Sequence, residues 1–538
     1  MAPRHLRVRD SLPPLIAGAG IRLLVWSRMD TSWNDAYDYA LNARFIREGE
    51  WWGVSRFMYS FYSVVVAAVD ALVDDPVLAG EIVSLVAGIV TVGLVYALAE
   101  RLAGSRAAVL AAWIAALHPR LVEYSTVGYT ESLLTACVAG ALLAAASYLV
   151  APATEASAGA RSSRTDLWAA GLFALAFLVR NDTLFYLVVG LVVLAIADLA
   201  RDGVQRALQR SAQRGIVAGV LIVAATAFAW QRLGDSPLFA KAAANVAIGS
   251  AYDVEELGAW QEELYGVDEQ GRLLGPPETP AGLSWSSRVR TYVENLMNLS
   301  RFYLLRLVFS PLVLAFAALG LLGTVFRRGT AAAEVLLVLA WLAPHVLYPL
   351  FIIQPQYLVQ TLPVLAVWAG RGLVRFTEVV ALNAGGSTRA AAVALRLAAI
   401  ATLGPLIGGT ALMAHERTAD RGPGARVVGV WLARHAPEEG YLGSDPGFTY
   451  YSDNFDQQAL PTGVPPEELG RVARANRAGV VVVTSGDVDT RPELAPLLEA
   501  EVTLPRDLRL ELRQVDPHGQ VIAIFRVAGS PAGSPPAS

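Results

Sequence analysis

Between residues 32 and 52 the chain reads SWNDAYDYALNARFIREGEWW, directly after an apolar run. The stretch holds four acids, two arginines and three tryptophans in a sequence dominated elsewhere by leucine, valine and alanine. On a helix, Asp35, Asp38 and Asn42 fall at i, i+3 and i+7 and share one face, while Ala36, Ala40 and Ala43 share another. Carboxylates grouped in this way can take the proton of a hydroxyl nucleophile or hold a hard cation. The alanine face allows close packing on other helices. Ser32 is a candidate N-cap and Gly49 a candidate stop. Trp51 and Trp52 read as interfacial anchors. A solvated polar loop without a task gives the same composition, and this stretch alone does not separate the two.

Three further breaks in the apolar pattern carry polar chemistry. HPRLVEYSTVGYTESL, 118–133, offers His118, Arg120, Glu123, Tyr124 and Glu131. Glu131 stands at the mouth of the apolar run that follows. An acid so close to hydrocarbon is costly and is a functional candidate on that ground. A carboxylate in the first turn of a helix is also favoured by the helix dipole, with no further role. His118 fits a structural hydrogen-bonding group. LVRNDTLF, 178–185, sets Arg180 and Asp182 between two apolar runs, where they can pair with each other. HVLYPLFIIQPQYLVQTLP, 345–363, is rich in Tyr and Gln.

The elements that must position these residues are membrane helices. The chain of 538 residues is 54% hydrophobic and 17% charged, against about 25% charged for soluble domains. Its mean hydropathy is +0.44. Apolar runs approaching the ~20 residues of a bilayer span lie near 12–29, 78–99, 104–118, 132–150, 166–181, 183–200, 215–231, 302–325, 332–350, 357–373 and 390–413. The expected fold class is therefore a polytopic α-helical membrane protein of about eleven spans. SFYSVVVAAVDALVDD, 60–75, is short and contains Asp70, and reads as a helix on the membrane surface. The basic, apolar amino end lacks a clear cleavage site and reads as a retained first span. With the amino end inside, the short inner segments hold most of the arginines, Arg101, Arg201, Arg206, Arg210 and Arg214 among them, and the short outer loops hold little beyond Arg120 and Arg180. That is the asymmetry the positive-inside rule requires.

This topology divides the chain into a membrane domain, 1–413, with external loops 30–77 and 232–300, and a small soluble α/β domain, 414–528, followed by a disordered tail, 529–538. In the small domain GVVVVTS and QVIAIFRV read as strands, and GARVVGVWLARHA and RPELAPLLEAE as helices. The single cysteine, Cys137, lies in an apolar run. It reads as a small buried hydrophobe and excludes both an intrachain disulfide and a cysteine-rich metal site. A net charge of −4 gives no electrostatic case for nucleic acid.

In their order these motifs resemble the GT-C glycosyltransferases of the protein O-mannosyltransferase and aminoarabinose-transferase type. That family carries an acidic pair in its first external loop, followed by Tyr, Ala, Arg and Gly, matched here by NDAYDYALNARFIREG. Its next run is matched by ALAERLAGSRAAVLAAWIAALHPRLVEYSTVGYTESLLT, its Arg-centred break by LAFLVRND and its late turn by QYLVQTLP. The resemblance runs through most of 12–376. It implies a polyprenyl-phosphate sugar donor, a glycan or protein acceptor, and inverting transfer at the outer face of the cytoplasmic membrane. It makes Asp35 the general base, with Asp38 as its rival, and gives Glu131 the placing of the acceptor or a cation. Tyr39, Asn42, Arg44, Arg120, Tyr124, Arg180, Gln356 and Tyr357 become substrate contacts. Two positions depart from the pattern: the acidic pair is Asn34-Asp35, and the usual late arginine is Gln356. The carrier phosphate then falls to one of Arg44, Arg120, Arg180, Arg288, Arg290 and Arg301. No cofactor is implied, although carboxylates such as Asp35 and Glu131 can hold a divalent cation.

Besides a non-catalytic membrane scaffold, the bland option, two other readings compete. One is an envelope-glycan polymerase or ligase that uses no lipid-phosphate sugar. The other is a secondary transporter, which would carry its charges near the bilayer midplane on broken helices; here most acids lie in outer loops. The arginine asymmetry predicts that 414–538 faces away from the cytoplasm. A reporter active only in the cytoplasm, fused after residue 420, should be silent, and a bright signal would mean that 60–75 crosses the membrane.

Overall fold

The computed structural model describes residues 8–28, 34–55, 59–150, 158–234, 267–268, 270–272, 285–303, 308, 310–322, 329–350, 355–419, 424–488, 490–499, 504–515 and 519–529. The candidate cap Ser32, most of the loop 232–300 and the tail beyond Gly529 lie outside them. The chain forms two compact units: Met1–Arg28, Tyr39–Val246 and Tyr292–Ala414 in one, and Met29–Asp38, Ala247–Thr291 and His415–Ser538 in the other.

The first unit is helical. Its elements are α1 (Val8–Trp26), α2 (Asn34–Glu48, whose first turn belongs to the second unit), α3 (Phe61–Val73), α4 (Pro76–Ala103), α5 (Ser105–Leu117), α6 (Pro119–Tyr124) and α7 (Thr130–Val150). They continue as α8 (Ala158–Val179), α9 (Leu184–Asp202), α10 (Val204–Leu233), α11 (Trp285–Phe302, whose residues up to Thr291 belong to the second unit), α12 (Pro311–Leu322), α13 (Ala331–Leu347), α14 (Leu362–Asn383) and α15 (Thr388–Ala419, whose residues from His415 belong to the second unit). Among the described residues the eleven expected spans overlap helices, the one near 302–325 only through Phe302 and Pro311–Leu322. Among the described residues seven helical stretches are long and apolar enough to cross a membrane, based on α4, α7, α9, α10, α13, α14 and α15. The chain is a multi-pass membrane protein. The helix over 104–118 has 13 residues, or about 20 Å at the helical rise, short of a hydrocarbon core of about 30 Å.

Burial ranks these helices. The apolar window of α14 is 94% buried, whereas those of α10 and α15 are 17% buried. The α14 helix is thus surrounded by protein. Ile216, Val220 and Val223 on α10 and Leu397 and Ile400 on α15 are exposed, as side chains solvated by lipid tails should be. Lipid gives apolar side chains no reason to leave it, so helices associate through close packing of small residues. A Cβ on Gly320 of α12 would lie 1.9 Å from the Trp368 carbonyl oxygen of α14, and one on Gly372 would lie 1.8 Å from the Phe316 carbonyl oxygen of α12. On another side of α14, a Cβ on Gly370 would meet the Ala107 carbonyl oxygen of α5 at 2.5 Å.

At one end of α7–α10, charges replace small residues. Arg214 is fully buried and pairs with Asp166 at 2.8 Å and Asp198 at 2.7 Å. Arg210 reaches Asp202 at 2.6 Å and Asp198 at 3.4 Å, and the Tyr148 hydroxyl bonds to Asp198. Two of the arginines that set the expected topology therefore have carboxylate partners in the folded chain.

The second unit holds a five-stranded sheet of order β2-β1-β3-β5-β4. Its strands are β1 (Gly440–Leu442), β2 (Gln457–Gln458), β3 (Ala478–Thr484), β4 (Leu508–Val515) and β5 (Val521–Val527). The run AGVVVVT is continuously apolar because β3 is covered on both faces. Val481, Val483, Ala523 and Phe525 enter one core and Val480, Val482, Ile522 and Ile524 the other. Its helices are α16 (Gly424–His435), α17 (Pro446–Ser452), α18 (Pro466–Ala475) and α19 (Ser485–Val488). The strands expected at GVVVVTS and QVIAIFRV and the helix at GARVVGVWLARHA are present. The helix expected at RPELAPLLEAE is instead a 3-10 segment, Pro492–Leu498, with Pro496 inside it, since proline removes a donor that an α-helix needs.

The glycine contacts carry a prediction. Gly372→Ala must push α12 and α14 apart, and should destabilise the detergent-solubilised protein by about 1–3 kcal/mol. Gly219→Ala on α10 meets no atom within 4 Å and should be neutral or stabilising. Equal unfolding midpoints for the two variants would remove the close packing from the account.

Candidate functional site

The helix break at 180–183 builds the site. Arg180 ends α8 in an extended conformation, and Asn181–Thr183 form one 3-10 turn before α9. The Thr183 hydroxyl donates to the Ala176 carbonyl at 3.1 Å and also bonds to Arg180 O, serving carbonyls freed by the break. Glu131 sits in the first turn of α7, where the positive end of the helix dipole favours a carboxylate. From the break, Arg180 Nη1 donates to Glu131 Oε1 at 2.9 Å, while Nε and Nη2 donate to Asp182 Oδ2 at 3.2 and 3.0 Å. Its guanidinium carbon lies 4.1 Å from the centre of the Tyr357 ring. The Arg180, Glu131 and Asp182 side chains are 9%, 5% and 7% exposed.

An aromatic wall backs this cluster. Tyr357 packs on Tyr348 with ring centres 5.2 Å apart, and Phe185 meets Tyr348 edge-on at 5.6 Å. The QPQYLVQTLP motif contributes the 3-10 segment Pro355–Thr361 that leads into α14. Gln360 fixes it by donating to the Tyr348 hydroxyl at 3.2 Å and to the Tyr357 carbonyl. Two carboxylates against one guanidinium leave the cluster with a formal charge of −1. The buried Asp182 Oδ1 has no hydrogen-bond partner among the described residues. An open acceptor in a net-negative, aromatic-walled cluster suits the hydroxyl groups of a sugar or a cation better than a phosphate.

The remaining expected residues are placed as follows. Arg120 pairs with Glu123 in α6. Tyr124 is buried, 6.2 Å between ring centres from Tyr129. His118, also buried, caps the start of α6 with its backbone. Gln356 is half-buried beside Tyr357. On α2, Ala36, Ala40 and Ala43 are buried as the small-residue face requires. Asn42 is buried too, rather than sharing the partly exposed face of Asp35 and Asp38. Its side chain accepts from the Ser55 amide at 2.8 Å and donates to the Ser55 carbonyl at 3.4 Å, holding the next turn. Tyr39 packs edge-on against Tyr62 at 5.4 Å, and Arg44 lies 5.6 Å from the Phe45 ring centre. Gly49, at φ +78, ends the helix as expected. Trp51 packs edge-on against Phe228 at 5.4 Å, while Trp52 is exposed. Asp35 and Asp38 belong to the second unit, the other site residues to the first.

The structure thus joins Glu131, Arg180 and Tyr357, three residues that the sequence offered separately. It adds Asp182, Tyr348 and Gln360 to them. The signal for Asp182 was present in the RNDT break, where its pairing with Arg180 was legible but its open oxygen was not.

Residues 61–230 match the model of the dolichyl-phosphate-mannose-protein mannosyltransferase family. No curated protein sequence matches the chain. The fold is similar to that of ArnT from Cupriavidus metallidurans solved with undecaprenyl phosphate, at TM-score 0.58 and 16% identity over 97% of this chain and 99% of that one. The Archaeoglobus fulgidus oligosaccharyltransferase AglB, in complex with an inhibitory peptide and a dolichol-phosphate, aligns at TM-score 0.56 and 13% identity, over 88% of this chain and 69% of that one. The mycobacterial arabinofuranosyltransferase AftD aligns at TM-score 0.50 and 14% identity, over 96% of this chain and 42% of that one. The chain has the GT-C glycosyltransferase fold. In this fold the cluster around Arg180 stands where α7, α8 and α9 meet and where the late 3-10 turn reaches them.

Removing one member of a buried ion group leaves the others uncompensated. Arg180→Met should therefore destabilise the protein by about 3–5 kcal/mol, and Arg180→Lys, which keeps the charge and loses the fork, by less. The unfolding of both variants in detergent measures this. A wild-type transition for Arg180→Met would mean that Glu131 and Asp182 do not depend on it.

Proposed function

We propose that this protein transfers a sugar from a polyprenyl-phosphate carrier to an acceptor hydroxyl at the outer face of the cytoplasmic membrane. The observation that carries this reading is the buried Glu131–Arg180–Asp182 cluster under Tyr357, set at the ends of membrane helices in a GT-C fold. The undecaprenyl phosphate and dolichol phosphate in structures of similar fold support the donor class.

A polyprenyl phosphate already leaves readily, so the protein must deprotonate the acceptor and hold the sugar. The acceptor oxygen attacks the anomeric carbon as the bond to the phosphate oxygen breaks, and the bonding electrons leave with the phosphate. Attack opposite the leaving group inverts that carbon. Asp35 takes the proton, a role worth roughly 10²–10⁴-fold. Arg180 acts through the carboxylates it positions. Asp182 Oδ1 accepts from a sugar hydroxyl, and Glu131 helps to place the acceptor. The phosphate is left to another guanidinium, such as Arg120.

The test supplies purified protein with undecaprenyl-phosphate carriers of mannose, aminoarabinose and arabinofuranose, together with a detergent extract of cell-envelope glycans and proteins as the source of acceptor hydroxyls, and follows release of undecaprenyl phosphate. Turnover of at least one carrier is expected, and silence with all three argues against the donor class. With an active donor at saturation, Asp35→Asn should lose at least about 10²-fold in turnover, with carrier binding unchanged. Asp38→Asn should lose much less. The opposite order would exchange their roles.

A further inference from the structure

We propose that Tyr37 is a positioning residue, through which the sheet unit sets the first turn of α2 and with it Asp35 and Asp38; this rests on the catalytic reading above. Tyr37 is 1% exposed. Its ring centre lies 5.5 Å from that of Tyr450 and 5.8 Å from that of Tyr451, and those two rings meet edge-on at 5.0 Å. Both partners are on α17. The contact depends on two glycines. A Cβ on Gly447 would lie 2.9 Å from Tyr37 Cε2 and 2.9 Å from Ala425 Cβ, and one on Gly429 would lie 2.3 Å from Tyr451 Cβ. The α17 segment therefore seats directly on α16 and leaves a gap that the Tyr37 ring fills.

This platform is held from several directions. Asp445 caps α17 by accepting from the Gly447 amide at 2.7 Å. The Gln457 side chain donates to the Gly443 and Asp445 carbonyls at 3.0 and 3.2 Å. The Thr449 and Tyr441 hydroxyls bond at 2.8 Å. A ring docked on so constrained a surface fixes the turn that carries it.

Helix geometry turns that anchor into control of the acids. Asp35 and Asp38 are three residues apart and share a face, whereas Tyr37 projects about 100° or more from either. The ring is buried on one side and both carboxylates remain partly exposed on the other. A small rotation of the turn moves both carboxylates together. A misplacement of about 1 Å costs up to about 10²-fold in rate.

The experiment uses the full chain with Tyr37→Ala, Tyr37→Phe, Gly447→Ala and the Tyr37→Ala/Gly447→Ala pair. It reads turnover and KM with the undecaprenyl-phosphate mannose, aminoarabinose and arabinofuranose carriers and the same envelope extract as acceptor source, and amide exchange in 35–41 and in β3 and β5. We expect Tyr37→Ala and Gly447→Ala each to lower kcat by about 10- to 100-fold with little change in donor KM. Exchange in 35–41 should rise by about tenfold or more while β3 and β5 stay protected. Tyr37→Phe should keep near-normal turnover. Once the ring is gone, Gly447→Ala keeps only its contact with Ala425 and should add much less than its loss alone; a fully additive pair would show that Gly447 acts elsewhere and overturn the proposal. Unchanged kcat and exchange in Tyr37→Ala, with Asp35→Asn inactive, would overturn the positioning role alone. Normal turnover of both Asp35→Asn and Asp38→Asn would remove the catalytic reading and this proposal with it. Should Tyr37→Ala expose β3 and β5, Gly447→Ala alone decides, by the same two readouts.

Discussion

A guanidinium withdrawn from water at the end of a membrane helix must find its counter-charge in the protein. Arg180 finds two carboxylates, and the surrounding structure follows from that requirement. The α8 helix must end at Arg180 so that the fork can turn toward α7 and also back onto its own loop. The α7 helix must begin at Thr130 so that Glu131 presents itself from a first turn. The late 3-10 segment must bring a ring, rather than a third charge, over the guanidinium. Charge and aromatic face together satisfy the cation while one carboxylate oxygen stays open.

That arrangement is kept in place by parts of the fold that carry no charge. The α14 helix, which starts just after Tyr357 and Gln360, is nearly enclosed and meets α12 and α5 at glycines. Close backbone approach does here what apolar burial does in a water-soluble core. Polar chemistry and tight packing meet at one short segment, 355–363. Its sequence, PQYLVQTLP, which mixes Pro, Gln and Tyr with apolar residues, suits both tasks.

Much of this was legible before any coordinates. The apolar runs located the membrane helices, and the breaks at 118–133, 178–185 and 345–363 located the polar residues. Glu131 and Arg180 are 49 positions apart, so no local pattern could join them. Asn42 shares the spacing of Asp35 and Asp38, but the Ser55 backbone competes for its side chain. In the sheet unit, β3 and β5 announced themselves through the apolar runs Val480–Val483 and Val521–Phe525. The three residues of β1 and the two of β2 are too few to carry a period. LRLELRQV, the β4 strand, does alternate Leu with charged residues in the period of two that a half-covered edge strand shows. Pro496 explains why the helical pattern of 491–501 closes into a tighter turn.

The charged group joining α7–α10 has a bearing on biogenesis. In the topology expected from the sequence, Arg210 and Arg214 act during insertion as cations that help decide which side of the membrane each loop keeps. Asp166, Asp198 and Asp202 weigh little in that decision. Only when the helices assemble do these acids meet the arginines. The same guanidiniums thus serve first as an address and later as a clasp. Loss of an aspartate from this group would leave orientation intact and yield a correctly threaded chain that fails to close.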